Sequence, residues 1–161
     1  MFDFESVHQL RKTGQYETAK EVVRQYVEAA PDDPFVLYQM AWCHDSLGEE
    51  HAAVPYYEQA LALGLIGEDR LQAYIGLGST YRVIGQFQEA SDVLHRALLE
   101  FPDAHALHAF LAMAEYNLGQ TDQAVGRLLK TLATTSSDTS IQTFDRALRY
   151  YADHLDEIVK E

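Results

Sequence analysis

Four glycines set the register of this chain. Gly14, Gly48, Gly85 and Gly119 are spaced 34, 37 and 34 residues apart, and each is followed five residues later by an alanine: Ala19, Ala53, Ala90 and Ala124. A period of this length suits two short helices and two turns per unit, with a short insertion in the second unit. A glycine ends a first helix where the backbone needs a positive φ, and an alanine five residues on lets the second helix cross closely. No sustained alternation of apolar and polar residues competes with this reading, so the chain is expected to be all-α, with nine helices.

The third unit carries the fullest pattern. It runs Tyr74-x2-Leu77-Gly78-x2-Tyr81, then Gly85-x-Phe87-x2-Ala90, then Leu94, Ala97 and Pro102. Tyr74, Leu77 and Tyr81 share one helical face, Gly78 and Ala90 are small where helices cross, and Pro102 stops the second helix. This pattern resembles the tetratricopeptide repeat (TPR). The first unit keeps Gly14-x-Tyr16-x2-Ala19 and closes at Pro31. The second keeps Leu37, Met40, Ala41, Gly48, Ala53, Tyr57 and Ala60, and places its extra residues at Gly64-Leu65-Ile66-Gly67. Its Pro55 is expected in the first turn of a helix, where a missing N–H costs little. The fourth keeps Leu111, Ala112, Gly119, Ala124 and Leu128, but has His108, Glu115 and Thr121 where the pattern prefers aromatics.

The resemblance implies an α-α superhelix, a TPR solenoid forming a single domain. Its four helix-turn-helix repeats fall at about residues 1–33, 34–70, 71–104 and 105–137. A C-terminal capping helix is expected over 138–160, started by Ser137 or Asp138. Its apolar residues Ile141, Phe144, Leu148, Tyr151, Leu155 and Ile158 form one stripe. A cap would cover the face left by Leu111, Leu128 and Leu132, leaving the end of the stripe for the rest of the chain or for a second copy.

In this family the first helix of each pair lines the concave side. The implied partner-binding groove is Tyr38, Trp42, Ile75, Ser79, Arg82, Phe110, Met113 and Tyr116, with Arg11, Lys12, Phe35 and Gln39 also on inward faces. Trp, Tyr and Met are favoured where proteins bind proteins, so the groove suits a peptide or a helix of another protein. Phe35 and Phe110 fit core or groove equally; Trp42 favours the groove, because Leu37, Met40 and Ala41 already fill the second unit's core. One TPR subclass grips a terminal carboxylate through groove Lys, Asn and Arg. The matching positions here are Phe4, His8, Gln39, Gln72 and Gly76 or, one unit later, Tyr38, Trp42, Gly76, Ala106 and Phe110, and neither set supplies the cations.

Other chemistries find little footing. A net charge of −13, with 25 acidic and 12 basic residues, opposes nucleic acid and anionic membranes, which require clustered Lys and Arg. No apolar run approaches the length that crosses a bilayer. The N-terminus does not read as a secretory signal and Cys43 is the single cysteine, so a cytoplasmic protein is the expectation. His105 and His108 share a face without a third nearby ligand, which falls short of a metal site, and Cys43-His44 cannot form a dyad because neighbours on a helix diverge. No catalytic residues and no cofactor are expected. The reading is a non-catalytic interaction scaffold; the alternative is a self-associating homodimer that buries the groove or the C-terminal helix.

Overall fold

The computed structural model describes residues 2–159. Its regular elements are ten helices, and among the described residues there are no strands. The residues group into two compact units, Met1–Gln86 and Phe87–Glu161.

The first unit holds α1 (Phe4–Lys12), α2 (Tyr16–Ala29), α3 (Pro34–Ser46), α4 (Glu50–Ala62) and α5 (Gly67–Val83). α1 ends where the register places it. Gly14 takes φ +74°, and the N–H of Gln15 reaches back to the Leu10 carbonyl at 2.8 Å, satisfying one of the carbonyls left over at a helix end. α3 begins equally firmly: the Asp33 carboxylate accepts from the N–H groups of Phe35 and Val36, and Pro34 occupies the first helical position. That start fixes which α3 residues face which neighbour. Val7, Ala19, Val23, Met40 and Cys43 form a core knot among α1, α2 and α3, and burial pushes the Cys43 thiol up to about 11. Cys43 is therefore a small packing residue with little thiolate character.

The second unit holds α6 (Phe87–Glu100), α7 (His105–Asn117), α8 (Thr121–Thr135), α9 (Thr139–Thr143) and α10 (Asp145–Ala152). Val93, Leu94, Ala97, Leu107, Leu111, Ala112 and Ala124 are among its buried side chains along α6, α7 and α8. The four register alanines are all buried, Ala19, Ala53 and Ala90 completely.

Three local expectations require correction. Pro55 is the sixth residue of α4, past its first turn; the hydrogen bond it lacks would have gone to the carbonyl of His51, an exposed residue that water can serve. The C-terminal helix is not continuous over 138–160. It is broken at Phe144 into α9 and α10 and ends at Ala152, so the described residues form ten helices where nine were expected; Lys160 lies outside the described residues. Asp138 caps α9 through the N–H of Ser140. At the other end the chain folds back, with the His154 ring stacked 4.2 Å from Tyr150 and the Tyr150 hydroxyl donating to Glu157. Lastly, α10 docks on α8 through another face than the expected one. Ala152 sits against Gly126, and Lys130 pairs with Asp153 at 2.6 Å. Leu128 and Leu132 stay 46% and 40% exposed. Close approach of backbones at a glycine decides this docking, in place of burial of the two leucines.

Candidate functional site

Within the first unit, one face of α1 and one face of α3 meet over the start of α5 and enclose a cleft of about 580 Å³. Phe4, His8 and Arg11 follow one another at four- and three-residue steps and so line α1 on one side. Phe35, Tyr38, Gln39 and Trp42 do the same on α3, and Asp69 comes from the first turn of α5.

The aromatic wall is continuous. The Phe4 and Phe35 rings meet edge to face at 4.7 Å, Phe35 and Tyr38 lie 6.3 Å apart, and Tyr38 lies 6.3 Å from Tyr57. Such separations are those at which ring pairs attract. Tyr38 is buried at 8% exposure, whereas Phe35 and Trp42 are half-buried. The Arg11 guanidinium lies 4.1 Å over the Trp42 ring, within cation–π range, and Tyr16 is 6.3 Å from the same ring. Further along α3, Asp45 accepts hydrogen bonds from the Tyr57 hydroxyl at 2.7 Å and the Thr80 hydroxyl at 2.9 Å. Burial raises the Asp45 carboxyl above its ordinary value despite these two donors. This network ties α3, α4 and α5 together.

Arg11 and Gln39 are incompletely matched. Arg11 Nε and Gln39 Oε1 are buried and meet no hydrogen-bond partner. Burial also lowers the pKa of Arg11, as expected of a guanidinium drawn from water without a carboxylate beside it. Burial of the Tyr38 phenol raises its pKa, with the negative charge of Asp69 adding to the effect, so the α5 side of the cleft is acidic and the α1 side cationic.

The groove residues inferred from the sequence divide as follows. Tyr38 and Trp42 line the cleft. Ile75, Ser79 and Arg82 are half-buried along α5, outside its lining, and Arg82 Nε is another buried donor without a partner. Phe110, Met113 and Tyr116 belong to α7 in the second unit, half-buried, 38% and 65% exposed respectively. In that unit Glu115, only 1% exposed, forms a two-pronged ion pair with Arg127 at 2.6 and 2.9 Å. Arg127 also reaches His108 Nδ1 at 3.1 Å. In the sequence Glu115 marks only a departure from an aromatic position, and nothing there pairs it with Arg127. Burial of the His108 imidazole, reinforced by Arg127, lowers its pKa. The His105 and His108 rings are 6.4 Å apart, and no group of three metal-ligating side chains gathers among the described residues. No helix among them is long and apolar enough to cross a membrane.

The tetratrico peptide repeat family matches residues 34–155, and a second tetratricopeptide-repeat family matches residues 10–33. The chain belongs to the tetratricopeptide-repeat family. Repeats of this family are generally protein-interaction scaffolds and typically non-catalytic. Superkiller protein 3 of Schizosaccharomyces pombe is 26% identical over 149 residues, covering 86% of this TPR chain but 10% of that protein. The chain thus spans about a tenth of the length of this relative. Among solved structures, a MamA chain from Desulfovibrio magneticus RS-1 superposes with a TM-score of 0.73 at 19% identity, covering 94% of this chain and 84% of that one. A kinesin light chain from Podosopora anserina, with nearly identical TPR-like repeats, gives 0.70 at 23% identity, covering 94% and 85%. These likenesses show the fold, an α-α solenoid of helix-turn-helix repeats.

Proposed function

We propose that this TPR chain is a non-catalytic scaffold that holds a segment of a partner protein in the aromatic cleft formed by α1 and α3. The observation that carries the reading is Trp42. It is half-buried on a helix whose core is already filled by Leu37, Met40, Ala41 and Cys43, and it opens onto a cleft with Phe4, Phe35 and Tyr38. Large rings kept at a cleft while smaller residues fill the core are typical of protein-binding anchors. Ile75, Ser79 and Arg82 on α5, and Phe110, Met113 and Tyr116 on α7, are proposed as further contacts, each open to a single alanine replacement. The test is capture of proteins from a lysate of the source organism by the intact chain beside a Trp42→Ala chain. A partner retained by the first should bind the second about 2 kcal/mol more weakly, with unchanged helicity. Equal retention by both chains would remove Trp42 and this cleft from the reading.

A second reading, self-association, is favoured by the C-terminal segment. Phe144 is 62% exposed and Tyr151 55%, with Ile158 and Val159 more open still. Large exposed apolar side chains, of which Phe144 and Tyr151 share one surface hollow, are typical of contact faces. Solution mass measured on the intact chain separates the two, since a dimer is required only by the second.

A further inference from the structure

α10 has two working faces. Arg149 and Ala152, three residues apart, turn toward α8: Arg149 reaches the Thr134 hydroxyl at 3.3 Å, and Ala152 sits against Gly126. Phe144, Ala147 and Tyr151 follow one another at three- and four-residue steps on another side. With Thr143, Arg146 and Tyr150 they enclose a hollow of about 360 Å³. Its three rings are all exposed. Arg146 is exposed as well and makes no ion pair among the described residues, whereas Arg149 holds Asp145 at 3.0 Å.

The segment after α10 has the complementary character. Leu155, Ile158 and Val159 are apolar and exposed, the last two at 81% and 89%. Asp156 lies among them, exposed, and its carboxylate has no ion pair or hydrogen bond among the described residues. This segment does not occupy the hollow of its own chain. Glu157 takes the Tyr150 hydroxyl and His154 stacks on the Tyr150 ring, while Ile158 and Val159 stay in water. One chain therefore carries an apolar hollow with an unpaired cation and an apolar strip with an unpaired acid, and leaves both open.

From this we infer that the occupant of the hollow is the strip 155–159 of a second copy of this chain, exchanged reciprocally about a two-fold axis. The inference rests on the self-association reading above and names its interface. Ile158 and Val159 of one copy lie against Phe144 and Tyr151 of the other, and Asp156 meets Arg146. Charge selects this pairing over the two simpler ones. Strip against strip would set Asp156 and Glu157 against their own images, and hollow against hollow would do the same to Arg146; strip on hollow joins opposite charges. Hollow and strip are also neighbours along the chain. Seating one strip brings the second copy's strip beside the first copy's hollow, so the contact closes at two copies and every interaction occurs twice.

The experiment follows the mass of the full chain by sedimentation equilibrium across a concentration series. A contact of this small size belongs at the weak end of specific interfaces, so the mass should rise from one copy to two and stop there. Arg146→Asp should raise the dissociation constant about tenfold, because two attractive pairs become two repulsive ones. Asp156→Arg should do the same, and the two substitutions combined should return affinity close to that of the parent, the mark of direct pairing. Ile158→Ser should weaken the dimer with no change of charge. All three residues are exposed in the single chain, and unchanged circular dichroism of each variant verifies that its fold is kept. A dimer indifferent to these substitutions, or single variants that the combination does not rescue, overturns the inference and leaves self-association to another face. A mass that climbs past two copies overturns the reciprocal exchange. A chain that remains one copy at every concentration removes the self-association reading, and the inference with it.

Discussion

Gly126→Ala tests the docking of α10 on α8 with a change of one methyl group. A Cβ built at Gly126 lies 2.3 Å from the carbonyl oxygen of Ala152 and 3.3 Å from its carbonyl carbon. A carbon and a carbonyl oxygen settle at about 3.3 Å or more, so α10 has to retreat by roughly 1 Å. The obstacle is backbone at the last residue of a helix and cannot swing aside as a side chain would. Overpacking of this sort costs about 1–3 kcal/mol. Against it stands the helical preference of Ala over Gly, about 1 kcal/mol in favour of the variant. The balance is a loss of about 1 kcal/mol, or a melting temperature lower by ~3 °C in a chain of this size. Circular dichroism melts of the two chains measure it, and limited proteolysis should cut the variant sooner beyond Thr135. In a chain ending at Ser137 the obstacle is gone and the same substitution should raise stability. A full-length variant that melts higher than its parent would refute the docking, since only the propensity gain would then remain.

Gly76→Ala should destabilise the first unit, because its Cβ would lie 2.6 Å from the Tyr57 ring, which is 2% exposed and tethered to Asp45; a melting temperature that rises would mean that ring yields freely. Arg127→Met leaves Glu115 buried without its partner and should cost about 3–5 kcal/mol by denaturant titration, while adding Glu115→Leu to it should restore most of the loss. The lowered pKa of His108 makes the folded state bind its proton less readily than the unfolded chain. Its contribution to stability is therefore present above the ordinary histidine value of 6.5 and is lost as pH falls through the lower folded value. Melts across that window should show stability declining with acid, and His108→Asn should flatten the decline.

Much of the fold was legible because the repeat is written in residues whose role is local. A glycine with φ between +71° and +82° stands at each of the four register positions, and a small buried alanine follows each. Such requirements act on the residue itself, so spacing alone carries them. The C-terminal segment was misread for the opposite reason. Its apolar stripe has helical period across Phe144, but period does not show where a helix breaks. Phe144 sits at φ −103° and ψ 13° as the link between α9 and α10, and beyond Ala152 the carbonyls of Tyr150 and Tyr151 are taken up by Asp153 and His154. The docking of α10 depends on Gly126, which no periodic pattern marks.

For the site, the sequence carried the faces of α1 and α3 but not the pairing of their charges. Arg11, Lys12, Phe35, Gln39 and Trp42 could be placed on inward faces by helical spacing. Whether a given cation is already neutralised depends on residues brought near by the fold. Glu115 and Arg127 show one outcome: a charge at a position where the repeat prefers an aromatic is answered by a guanidinium from the next helix, and the pair becomes internal structure. Arg11 shows the other. Its guanidinium has an aromatic face for support and no ion-pair partner among the described residues, and its Nε–H is buried without an acceptor. In a chain with net charge −13, overall electrostatics favours cationic partners at long range. An acidic segment would approach against that field, and the contact energy would have to come from short range, from the rings that line the cleft. Binding of an acidic segment should strengthen at moderate salt, where the repulsive field is screened over about 10 Å while apolar contact with the rings is not. The opposite trend, a steady loss of affinity from low salt upward, would indicate that long-range attraction governs the encounter and that the ligand is basic.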